Sequence, residues 1–125
     1  MKLREFYREI VGINDSMKGG WAKTYYGIFS FIINENNYSN VAEIGIGYGT
    51  HAKYILKTTN VKTLHLIDPM TYYENDSFAS DVMNQEPDIS GNNFNEMYAL
   101  IQEELSPWSD RTKFHRCLVL VSQMR

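Results

Sequence analysis

Apolar positions recur at helical spacing from the start of the chain: Leu3, Phe6, Tyr7, Ile10 and Val11 fall three or four residues apart, the period of one buried helix face. Gly12 and the Gly19-Gly20 pair interrupt that pattern. A second and stronger stripe begins near Trp21 and continues through Tyr25, Ile28, Phe29, Ile32 and Ile33, after which Asn34, Asn36, Asn37 and Asn40 supply a stop and a turn. These two helices make a helical lead-in over residues 1–37.

The period then changes. Val41-Ala-Glu-Ile44 is a short apolar run closed by Gly45 and reads as a strand. Helical spacing restarts with Thr50 as the expected N-cap and Ala52, Ile55 and Leu56 facing inward, ending at Thr58-Thr-Asn60. Thr63 to Ile67 reads as a second strand, closed by Asp68-Pro69 because proline cannot continue a central ladder. Asn93 with Glu96 resembles a capping box for a helix whose inward face is Phe94, Met97, Tyr98, Ile101 and Leu105, ended by Pro107. The continuously apolar Cys117-Leu-Val-Leu-Val121 is the expected third strand, flanked by His115 and Arg116.

Strand, helix, strand, helix, strand predicts an α/β fold of three layers, αβα, with a partial parallel sheet. Right-handed crossovers put the strands in the order 3-2-1. In that architecture the first strand is central, and its far edge has no fourth strand of this chain to pair with. It is left open to self-association or to a partner.

The chain of 125 residues fits one domain. One cysteine, Cys117, excludes an intrachain disulfide and a cysteine-rich zinc site, and no run approaches the roughly 18 apolar residues of a spanning helix. No signal-peptide pattern opens the chain. The expectation is a cytoplasmic protein without membrane contact. A net charge of −3 gives no basic footprint for nucleic acid. Between Thr63 and Asp110 there are ten acids and no lysine or arginine. That asymmetry reads first as a solvated acidic surface, and alternatively as a cover favouring a cationic ligand.

The chemistry concentrates in Glu43-Ile-Gly45-Ile-Gly47-Tyr-Gly49-Thr50-His51, between the first strand and its helix. Glycines there permit a tight turn, let a ligand approach the backbone and leave helix-start N–H groups facing it. An acid at the end of the next strand, Asp68, follows Gly45 by 23 residues. A dinucleotide fingerprint needs its third glycine where Thr50 stands, so an NAD-type reading fits poorly.

The Gly-x-Gly-x-Gly turn preceded by Glu43 resembles motif I of the class I S-adenosylmethionine-dependent methyltransferases, and Leu66-Ile67-Asp68 resembles their acid after the second strand. The match covers residues 40–70. The element order makes the chain look like the N-terminal half of such a domain, hence an apparently truncated one. The resemblance implies S-adenosylmethionine as cofactor. The backbone of Gly45, Ile46, Gly47, Tyr48 and Gly49 would lie under its methionyl and ribose parts, and the helix start at Thr50 and His51 would meet the carboxylate. Glu43 would face the ammonium, Asp68 the ribose hydroxyls, and Pro69 and Met70 the adenine.

Plainer readings stand beside these. The glycines alone make a turn, Asp before proline initiates turns, and His51 early in a helix is commonly a surface residue. Trp21, Lys23, Thr24 and Tyr25 are read as core packing before cofactor contact. The family places acceptor groups beyond its fourth strand, so no catalytic residue is assigned. Thr71 to Asn93, with Tyr72, Tyr73 and Phe78, is the candidate lid. A non-enzymatic binding module that pairs through its open edge is the alternative function.

Overall fold

A computed structural model describes residues 3–5, 7–8, 26–71 and 91–118. Its centre is a parallel sheet of β1 (Asn40–Ile44), β2 (Thr63–Ile67) and β3 (Thr112–His115), in the spatial order β1-β2-β3. Val41 pairs with Leu64 and Glu43 with Leu66, while Leu66 pairs with Phe114. Helix α1 (Gly27–Asn36) precedes the sheet, α2 (Thr50–Thr58) joins β1 to β2, and α3 (Gly91–Glu104) lies between β2 and β3. This is the expected partial Rossmann-like α/β topology with its strands in order; the third layer of the expected αβα arrangement is not formed by the described helices. Among the described residues β1 has a neighbour on one side only.

The pleat sends alternate residues to opposite faces, and the described helices meet one of them. Val41, Leu64, Leu66 and Phe114 point into a single apolar cluster with Ala52, Ile55 and Leu56 of α2 and Phe94, Met97 and Ile101 of α3. Leu3 and Tyr7 close it from a short helical stretch before α1. The opposite face presents Ala42, Ile44, Lys113 and His115 to the exterior. No described helix is long and apolar enough to cross a membrane.

Four expectations change. The third strand is Thr112–His115, not Cys117 to Val121; Cys117 and Leu118 are exposed, and residues 119–121 lie outside the described residues. A 3-10 turn, Ser106–Trp108, brings the chain back quickly after α3, and the Arg111 carbonyl accepts the Leu64 N–H at 2.7 Å, which starts the β2 to β3 ladder early. Thr50 is the first residue of α2 rather than its N-cap, which is Gly49 in the left-handed region. Asn93 lies inside α3, which begins at Gly91.

The fourth correction concerns α1. Its apolar stripe faces outward, with Ile28, Phe29 and Ile32 exposed, while Ser30 and Ile33 are buried. The reason is a polar seam along the other side. Ser30 and Thr58 share a hydroxyl hydrogen bond of 2.7 Å, and Asn34 Nδ2 donates to the Thr58 carbonyl at 3.0 Å. Both contacts dock α1 on the end of α2. Asn37, at φ 52°, then reverses the chain into β1. Trp21 to Tyr25 and residues 72–90 of the candidate lid lie outside the described residues, and the lid's last three residues belong to α3.

Candidate functional site

The turn from β1 to α2 places Gly45, Gly47 and Gly49 all at positive φ, 79°, 54° and 80°. Glycine populates that region without the steric cost other residues meet. The three glycines nevertheless do different jobs. A Cβ on Gly45 or Gly47 would meet nothing within 4 Å, so these two leave open space beside the backbone. A Cβ on Gly49 would lie 3.0 Å from Ile101 Cγ2 of α3, so Gly49 serves helix packing. Gly49→Ala is therefore expected to cost about 1–3 kcal/mol from strain and crowding together, and Gly47→Ala only the smaller backbone part. Urea unfolding of both variants checks the order, and equal losses would contradict it.

Asp68 holds this turn from the end of β2. Its Oδ2 accepts the Ile46 N–H at 2.9 Å and its Oδ1 the Met70 N–H at 2.8 Å. One carboxylate thus ties both strand-end loops together. Each oxygen keeps a further lone pair for a ligand hydroxyl, since a carboxylate offers about four acceptor sites. Arg116 fastens the same loop from the other side, donating from Nε to the Pro69 carbonyl at 3.3 Å and from Nη2 to the Met70 carbonyl at 2.9 Å. It also lies over the Tyr98 ring, 5.3 Å from its centroid. The sequence pattern gives Arg116 only a flanking role before an expected strand at residues 117–121 and carries no signal for this one, which follows from β3 ending at His115.

Beside the turn opens a cavity of about 900 Å³ between α1 and the edge of β1 that no described strand pairs with. Glu43, Gly45, Ile46, Gly47, Tyr48, Thr50 and His51 all line it, whereas Gly49, Asp68, Pro69 and Met70 do not. Ile46 is also 4 % exposed and anchors the turn in the core. Met70 is 1 % exposed at φ 46° and belongs to the core, which leaves half-buried Pro69 as the more accessible of that pair. The Tyr48 carbonyl accepts the Tyr7 hydroxyl at 3.1 Å, and Thr50 Oγ1 shares a 3.1 Å hydrogen bond with the Tyr26 hydroxyl.

His51 stacks on Tyr26 with centroids 4.3 Å apart and lies against Phe29 at 5.3 Å. Burial lowers its pKa, which favours the neutral ring. Glu43 is the electrostatic anomaly. Its Oε2 is buried without a hydrogen-bond partner among the described residues. Burial first, and the Asp68 carboxylate second, push its pKa up to about 8. A carboxyl in that state lacks a counter-ion or donor, and a cation arriving from the cavity would supply one. Among the described residues no group of three or more His, Cys, Asp or Glu is arranged to hold a metal.

The site therefore combines an uncapped helix start, two glycines open to ligand and two carboxyl groups of unequal environment, beside an apolar wall from Phe29 and Ile32. Comparison of the chain with protein-family models, curated proteins and solved structures finds no significant match in any of the three.

Proposed function

We propose that the chain binds S-adenosylmethionine and its demethylated product, as the cofactor-binding part of a methyltransferase. The observation that carries this reading is the buried Oε2 of Glu43, without a hydrogen-bond partner among the described residues, on a cavity beside Gly45 and Gly47. Such a pair of features asks for a ligand with a cationic end and a backbone-hugging middle. Glu43 receives the ligand ammonium. The uncapped first turn of α2, behind Gly49, offers N–H groups and the positive end of its dipole to the carboxylate. The remaining lone pairs of Asp68 receive the two ribose hydroxyls, and Pro69 borders the adenine. Met70, being buried, holds the loop from behind.

The bound cofactor supplies an activated methyl group on a sulfonium. The described residues serve its binding and orientation, and none is assigned to the acceptor. Calorimetric titration of the chain with S-adenosylmethionine, the demethylated product and NAD tests the proposal. Binding of the first two and not of NAD is expected, with Gly45→Val abolishing it because a branched side chain at φ 79° fills the open space. Asp68→Asn should weaken binding about tenfold or more, because one acceptor oxygen becomes an NH2 donor and with it go one tie to the Ile46 or Met70 N–H and the acceptor sites for a ribose hydroxyl. No binding by the folded chain, or binding of all three ligands alike, would refute the proposal.

A second reading, an interaction module pairing through its edge, is favoured by one observation. Phe29, Ile32, Tyr38 and Ile44 are exposed around the edge of β1 that no described strand pairs with, and exposed apolar patches of this kind mark association surfaces. Sedimentation of the chain with and without the cofactor separates the two readings. Self-association together with loss of cofactor binding would favour the second.

A further inference from the structure

The face of the sheet that no described helix covers carries a pair of histidines that the glycine turn does not use. His65 of β2 and His115 of β3 project from neighbouring parallel strands, in which Ile67 pairs with His115 and His65 with Lys113. The pleat puts both on the face away from the helices, since their neighbours Leu64, Leu66 and Phe114 turn into the core. His65 Nδ1 and His115 Nε2 stand 3.0 Å apart, with ring centroids at 5.2 Å and planes 28° from parallel. His65 is half-buried and His115 exposed.

In the absence of a ligand those nitrogens share one proton as an N–H···N hydrogen bond, which uses one donor and one acceptor lone pair. The same separation is the bite of a cis chelate. Two imidazole nitrogens at about 2.0–2.1 Å from a metal lie about 2.9 Å apart when they subtend a right angle and about 3.3 Å apart at a tetrahedral angle. The 3.0 Å observed lies within reach of both, so a small rotation of the rings brings the pair onto one metal. Imidazole nitrogens suit the late divalent transition metals, and affinity at such donors rises along that series to copper. From His65 and His115 together we infer a two-histidine chelate for a divalent late transition metal of the nickel and copper class.

The strand backbones hold the two Cα positions in a paired ladder, so binding requires only that each ring rotate until its lone pair points off the N···N line. That preorganisation is what separates the pair from two histidines placed at random on a surface. Water completes the coordination sphere. The site is therefore open and exchangeable, in contrast to a closed structural centre. Lys113, paired with His65 across the ladder, adds a positive charge nearby and disfavours more highly charged ions.

Titration of the untagged full chain with Ni²⁺, followed by calorimetry, tests the inference. The chain contains three histidines, His51, His65 and His115, so single substitutions resolve the donors. One equivalent of Ni²⁺ is expected to bind, with affinity falling about tenfold or more in both His65→Ala and His115→Ala and unchanged in His51→Ala. Zn²⁺ should bind more weakly than Cu²⁺. His115→Gln, at an exposed position, provides a variant whose folding does not depend on the ring. Cys117→Ser should leave binding intact. Absence of one-equivalent binding, retention of full affinity in both His65 and His115 variants, or loss in Cys117→Ser would each overturn the chelate.

Discussion

Glu43→Gln should leave the protein more stable than its parent at pH 8 and nearly equal to it at pH 4.5. The carboxyl of Glu43 is held up to about 8 in the folded chain, against 4.5 when free, by burial and then by the charge of Asp68. A raised folded pKa means that the folded state keeps a proton which the unfolded chain releases. Stability from that proton is fully present below pH 4.5 and is lost as pH rises toward 8, with a slope of up to about 1.4 kcal/mol per pH unit. Glutamine keeps the shape and never ionises, so the variant lacks this loss. Urea unfolding at pH 5, 6, 7 and 8 should give a parent whose stability declines by a few kcal/mol, to order of magnitude, relative to the variant. Parallel curves would show that Glu43 finds its compensation in the folded chain.

The same carboxyl makes ligand binding proton-linked under the proposed function. A cation that pairs with Glu43 draws it into the ionised form and releases a proton. Affinity for the demethylated cofactor should therefore rise between pH 6 and 7.5 in the parent and stay flatter in Glu43→Gln, which binds more weakly throughout. Calorimetry in two buffers of different ionisation heat counts the proton directly.

The elements that could be read from the sequence are those where one physical demand dominates. Thr63 to Ile67 was legible because an apolar run closed by Asp-Pro has few other uses, and the inward face of α3 because Phe94, Met97, Ile101 and Leu105 repeat over several turns. The glycine turn was legible because positive φ at Gly45, Gly47 and Gly49 is a backbone requirement that leaves its mark in residue type. β3 was misplaced because Thr112-Lys-Phe-His115 carries a single strongly apolar residue, while the next stretch is apolar throughout. What selects the earlier segment is its ladder with β2, a long-range pairing that local pattern does not contain. The stripe on α1 shows a related limit. Periodicity tells which residues share a face, not which face is buried, and here Ser30 and Asn34 decide that through their contacts with Thr58. In the site, the tie between Asp68 and the Ile46 and Met70 amides and the unpartnered Glu43 oxygen depend on where two loops meet, which spacing cannot supply.

Arg111 is a further residue with no sequence signature, and Arg111→Ala is expected to destabilise the fold by about 2–4 kcal/mol. Its guanidinium donates from Nε to the Val61 carbonyl at 2.8 Å, from Nη1 to Leu56 at 3.1 Å and from Nη2 to Thr59 at 2.9 Å. The Leu56 carbonyl is among the last four of α2 and has no partner within the helix ladder. The Thr59 and Val61 carbonyls belong to the connection into β2. One planar cation thus satisfies three acceptors and sits at the negative end of the α2 dipole. The backbone of Arg111 meanwhile receives the Leu64 N–H that begins the ladder to β3. Truncation leaves three carbonyls short of a donor and loosens the point where α2, β2 and β3 meet. Arg111→Lys should recover less than half of the loss, since an ammonium is a point donor and cannot reproduce the fork. Arg4→Ala is the contrast. Its contact with Glu103 is 3.4 Å long between exposed side chains and should contribute less than about 1 kcal/mol. Urea unfolding at pH 6 ranks the three variants, and an Arg111→Ala loss as small as that of Arg4→Ala would mean that water replaces the guanidinium at all three carbonyls.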